Sequence, residues 1–129
     1  MAIFGLLQAL PENIKVKACY LVGSFKNDLN MDSLSDLFLE PFDYETIKTK
    51  SRLWYFIHSD NDPYCPLEHA EFLHSKIGGD LLVLPNQKHF SVSTYGEAYR
   101  QFPYLLQLIA SESMTETTVV ELLTAFEQM

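Results

Sequence analysis

Positive charge is scarce in this sequence. Nine Lys and Arg stand against 17 Asp and Glu, a net charge of −8 with His neutral. Nucleic-acid affinity rests on clustered Lys and Arg that neutralise phosphates, so a nucleic-acid surface is excluded, and an anionic membrane surface with it. Long apolar runs are missing too, because no stretch approaches the ~20 residues a membrane span requires. Residues 1–10 are apolar, yet they have no positively charged start and no small-residue cleavage site, and they run into Pro11-Glu12. They do not read as a secretory leader. Cysteine is limited to Cys19 and Cys65, which make no disulfide framework and imply reduced thiols in the cytoplasm.

What is present fits one folded domain over residues 1–129, 47% hydrophobic and 20% charged. A chain of this size buries roughly two-thirds of the surface its unfolded form exposes, enough for a core.

The chain is organised around residues 53–90. Leu53-Trp54-Tyr55-Phe56-Ile57 is a short aromatic and β-branched run, the pattern of a strand covered on both faces. A loop dense in Asp, Asn and Pro follows, His58 to Cys65. Pro66 then suits the first turn of a helix, where its missing N–H costs nothing. Leu67, Ala70, Leu73 and Ile77 give that helix an apolar stripe, and Gly78-Gly79 end it, one as a left-handed cap. Leu81 to Leu84 is a second strand stopped by Pro85, and the loop Asn86 to Phe90 leaves its C-terminal end. This is a βαβ unit, whose right-handed crossover makes the two strands parallel and puts both following loops on one edge of the sheet.

Asp62 and His89, 27 residues apart, therefore share the carboxyl edge, where open α/β sheets bind ligands. An Asp there can hold a His in one tautomer and stabilise its imidazolium form. Each also has a plainer reading, Asp62 as a turn former or helix cap and His89 as a structural residue beside Phe90. His58, Asp60, Asp62, His69, His74 and His89 are six possible metal ligands. His69 and His74 are five apart and point to different helix faces, and His58-x-Asp60-x-Asp62 is too short to be specific, so no metal or cofactor is expected.

The stretch resembles the C-terminal half of the small single-domain α/β-hydrolases of the YdeN and retinoblastoma-binding serine hydrolase family. That family carries a Ser-x-Asp-Asp-Pro-like loop and a Gly-His-Phe turn. Ser59, Asp62 and Pro63 match the first, and His89 and Phe90 the second. Asn61 stands where an Asp is common, and Lys88 where a Gly is common. The resemblance covers roughly residues 2–111. It implies a partial α/β-hydrolase fold, three-layer α-β-α with a short parallel sheet of about three strands. It also implies triad roles for Asp62 as acid and His89 as base, and an ester or peptide substrate if the chain is active.

The sequence has no Gly-x-Ser-x-Gly, the turn that presents the nucleophile and half the oxyanion hole in such folds. Ser24, after Gly23 at a strand end, is the substitute candidate, although Val-Gly-Ser-Phe-Lys lacks the small flanking residues of that turn. Cys65 reads as a small packing or capping residue before Pro66.

In the rest of the chain, residues 2–10 are apolar at helical spacing without an N-cap, the tail of a helix, and Val16 to Val22 forms the first strand. Residues 25–50 carry a short helix around Leu34, Leu37 and Phe38, and another from Pro41 to about Lys50. Residues 91–101 are a polar loop, Pro103 opens a helix through Ile109, and an extra C-terminal helix is expected over about 115–128 behind the capping box Ser113 to Glu116. The strand Val16 to Val22 would be an edge, yet it has no Pro and no charge past Lys17, unlike protected edges. A homodimer through that strand is the expected partnership. Two functions stay open: a carboxylester-type serine hydrolase represented by its C-terminal half, without its nucleophile and inactive alone, and a non-catalytic interaction module derived from that fold.

Overall fold

The computed structural model describes residues 1–113. The C-terminal helix expected over 115–128 lies outside the described residues. The chain divides into two compact units, Met1–His89 and a second from Phe90 on.

The first unit begins with helix α1 (Ala2–Ala9), followed by strand β1 (Val16–Val22). A 3-10 helix spans Asp32–Phe38, and a short helix α2 (Tyr44–Ile47) runs through a 3-10 turn into strand β2 (Ser51–Ser59). Helix α3 (Leu67–Ile77) and strand β3 (Asp80–Leu84) complete it. The three strands form one sheet in the order β1-β2-β3, parallel throughout. The apolar runs dictate that arrangement, because strands joined by a helical crossover pair side by side in parallel.

β2 extends past the apolar run. His58 and Ser59, expected in the loop, pair with Val83 and Leu84 of β3, because backbone pairing with a neighbouring strand outweighs their polar side chains. One hydrophobic core cluster lies on one face of the sheet. Cys19 and Leu21 of β1 sit in register with Trp54 and Phe56 of β2 and pack with Phe4 and Leu7 of α1, Ile47 of α2, and Leu73 and Ile77 of α3. Phe4, Ile47, Phe56 and Leu73 are fully buried, and truncating such an aromatic costs about 3–5 kcal/mol.

Residues 25–50 are less helical than their apolar spacing implies. Phe38 packs against Phe25 and Phe42, and Tyr44 against Phe42 and Phe72. This chain of ring contacts holds the segment without a long regular helix. Gly78 and Gly79 both take positive φ, +88° and +87°, and a Cβ on Gly79 would lie 2.4 Å from the Trp54 carbonyl oxygen. Only glycine fits there, so the turn into β3 is fixed by backbone contact.

In the second unit a 3-10 turn, Glu97–Arg100, interrupts the expected polar loop and leads to helix α4 (Pro103–Ala110), with Pro103 in the first turn. Tyr99 packs against Phe90, Tyr95 and Phe102. Burial and the neighbouring Tyr95 push its phenol up to about 12. No helix among the described residues is long and apolar enough to cross a membrane.

Candidate active site

The loops after β2 and β3 leave the same edge of the sheet and meet there. Asp62 anchors the first. Its Oδ1 accepts the backbone N–H groups of Tyr64 and Cys65, each at 2.8 Å, the turn-forming role that an Asp takes ahead of a Pro. That role and the site role are compatible, because Oδ2 lies 2.7 Å from His89 Nδ1. A carboxylate only accepts, so Nδ1 carries the proton and the basic lone pair of the neutral ring is on Nε2. The Asp62 side chain is 0% exposed and that of His89 32%, so the carboxylate is sealed while the ring reaches solvent. Tyr64 stands edge-on to the ring, 5.3 Å between centroids.

Consecutive residues of the first loop hold consecutive residues of the second. The Asn86 N–H donates to Asp60 Oδ1 at 2.8 Å, the Gln87 N–H to Ser59 Oγ at 2.9 Å, and the Lys88 N–H to Asn61 Oδ1 at 2.9 Å. His89 follows with its bond to Asp62. Asn61 is the hub: Oδ1 also accepts from Ser59 Oγ at 2.7 Å, and Nδ2 donates to Asn86 Oδ1 at 2.6 Å. The clamp holds a loop whose backbone is costly, since Asn86 and Lys88 take φ of +55° and +52°, the left-handed region that non-glycine residues avoid. Lys88 thus adopts the conformation that a Gly adopts without penalty at this position.

Gly23 forms the third side of the site. Its φ is +58°, and a Cβ there would lie 3.1 Å from His89 Cε1 and 3.5 Å from Asp62 Oδ2. Ser24 follows it, 4% exposed, and its Oγ is a buried hydroxyl with no hydrogen-bond partner among the described residues. Buried hydroxyls are seldom left so.

Cys65 lies closer to the pair than its sequence neighbourhood indicates. Asp62, Cys65 and His89 each offer one donor atom, all within 4.8 Å of one another. Cys65 is 2% exposed, and burial together with the Asp62 carboxylate pushes its thiol up to about 12. At neutral pH it is a thiol and not a nucleophilic thiolate. The loop is further tied to β2 by His58, whose Nε2 donates to the Cys65 carbonyl at 2.6 Å. His69 accepts the Lys26 N–H on Nδ1 at 3.0 Å, and burial, then Lys26, lowers its pKa. Of the metal candidates read from the sequence, Asp62 and His89 come together, whereas His58, Asp60, His69 and His74 join no potential ligand group among the described residues.

Sequence reasoning placed Asp62 and His89 on one edge from their positions after two strands, and the structure brings them into contact. It missed Asn61 and Asp60 as the clamp, Gly23 as the wall, and Cys65 as a neighbour of the pair. The one available signal was the density of Asx residues in the first loop, each with a carbonyl or carboxylate oxygen for backbone N–H groups.

A buried carboxylate thus holds a solvent-reaching imidazole at the carboxyl edge of a parallel sheet. The chain belongs to the serine hydrolase family, whose model matches residues 2–111. Among solved structures it is similar to the ydeN gene product of B. subtilis, with a TM-score of 0.75 and 22% identity over 85% of this chain and 58% of that one. The chain thus spans less than two-thirds of that protein's length, and the likeness shows the fold. No curated protein matches it.

Proposed function

We propose that this chain carries the acid and base of a serine hydrolase of the carboxylester-cleaving kind. The supporting observation is the 2.7 Å bond between His89 Nδ1 and the buried Asp62 Oδ2. In this reading His89 Nε2 takes the proton of a serine hydroxyl as it attacks an ester carbonyl, then returns it to the leaving alkoxide. Asp62 holds the ring and stabilises the imidazolium between those steps. The sequence has no Gly-x-Ser-x-Gly, so the chain alone does not turn over esters.

Fluorophosphonate labelling with peptide mapping tests this reading. No adduct on the folded chain is expected. An adduct on Ser24, abolished by His89→Ala, would instead make Ser24 the nucleophile and the chain an enzyme by itself.

The second reading is a non-catalytic interaction module, favoured by β1. That strand pairs with β2 on one side and with no described strand on the other. It would pair antiparallel with its copy about a two-fold axis. Sedimentation giving a monomer at all concentrations would sink that idea. The two free, buried cysteines suit the reducing cytoplasm.

A further inference from the structure

We propose that Asp62, Cys65 and His89 form a binding site for a thiophilic divalent transition metal, with zinc the fitting ion. The three side chains present a sulfur, an imidazole nitrogen and a carboxylate oxygen within 4.8 Å of one another. That mixed donor set is one zinc takes, with three protein ligands and a fourth position for water. At ordinary Zn–S, Zn–N and Zn–O lengths, tetrahedral donors stand roughly 3.3–3.7 Å apart. The group therefore needs to close by about an ångström at its widest, while the 2.7 Å contact between Asp62 and His89 opens by less than that.

The surroundings support ligation. Asp62 Oδ1 is fixed by the two N–H groups of Tyr64 and Cys65, the outer-sphere support that ligating carboxylates have. The Cys65 carbonyl is held by His58, which fixes the backbone that carries the thiol. His89, 32% exposed at its side chain, gives the ion its way in. Gly23 leaves open the space beside His89 and Asp62 that any Cβ would crowd. The buried Ser24 Oγ, one residue on, has no partner among the described residues.

Binding forms Zn–S, Zn–N and Zn–O bonds; the thiol proton goes to solvent, and the ring proton of His89 moves from Nδ1 to Nε2, so that the neutral imidazole binds through Nδ1. No electron is transferred. The ion replaces the hydrogen bond on which the acid and base role depends, so metal binding and that role exclude each other. The site stands whether or not the chain proves to take part in ester hydrolysis.

Cobalt(II) titration of the full chain, followed by zinc competition, is the test. Cobalt is expected to give a thiolate-to-metal charge-transfer band in the near-ultraviolet and tetrahedral d–d bands at one ion per chain, all displaced by zinc. Cys65→Ser should abolish the charge-transfer band and Cys19→Ser should keep it. A band that survives in Cys65→Ser, or no band in the unsubstituted chain, overturns the site. If circular dichroism shows Cys65→Ser to be unfolded, His89→Ala decides: zinc affinity falling by more than about tenfold supports the site, since even an outer-shell partner is worth that much, and unchanged affinity refutes it.

Discussion

Replacing Lys88 by Gly should stabilise the protein, although it deletes a side chain next to the proposed base. Lys88 is exposed and takes φ +52°. A non-glycine residue pays roughly 1–2 kcal/mol in the left-handed region. Glycine escapes that cost but loses roughly 0.5–1 kcal/mol more backbone entropy on folding. The net gain is about 0.5–1 kcal/mol, read as a higher denaturant midpoint at an unchanged slope. Lys88→Ala, which keeps the Cβ, should leave the midpoint near its original value. Asn86→Gly, at φ +55°, should gain less than Lys88→Gly, because Asn tolerates this region better. A lower midpoint for Lys88→Gly, or an equal gain for Lys88→Ala, would refute the argument that backbone conformation, not the lysine side chain, sets the energy at this position.

Asn61→Ala removes bonds to Ser59, Lys88 and Asn86. At roughly 1 kcal/mol net for a typical bond, less where solvent competes, it should cost about 1–2 kcal/mol in chemical denaturation, and Asn61→Asp, which keeps the accepting oxygen, should cost less. Gly79→Ala puts a Cβ 2.4 Å from a carbonyl oxygen at φ +87° and should cost about 3 kcal/mol or more. Gly78→Ala meets nothing within 4 Å and should lose only the backbone share, about 1–3 kcal/mol, because φ +88° with ψ −162° is a conformation essentially reserved to glycine. Burial and Lys26 lower the His69 pKa from 6.5, so below that value the unfolded chain binds the proton the folded chain refuses. The stabilisation is complete above pH 6.5 and is lost as pH falls through that value toward the lowered one. His69→Gln should flatten this part of the stability curve, and a curve parallel to that of the unsubstituted protein would count against it.

The sheet was legible because its signal is carried by composition. Three apolar runs bounded by turn residues, with a helix-period stripe between the last two, leave few arrangements other than parallel neighbours in chain order. The pairing of His58 and Ser59 with β3 was not legible, since the strand partner and not the side chains extends the ladder. Asp62 and His89 could be placed together because topology alone puts the ends of β2 and β3 on one edge. The clamp could not, because it depends on side-chain oxygens of Ser59, Asp60 and Asn61 meeting backbone N–H groups more than two dozen residues on. Cys65 came to the pair through the tight turn that Asp62 makes with its N–H, which sequence spacing does not specify.

The proposed acid and base depend on the bond between His89 and Asp62, and proton NMR of the imidazole is its test. A strongly deshielded, slowly exchanging proton on His89 Nδ1 is expected, absent in both His89→Ala and Asp62→Ala while the fold persists. A His89 Nδ1 proton at an ordinary shift, or one unmoved by Asp62→Ala, would contradict the pairing and with it the proposed acid and base.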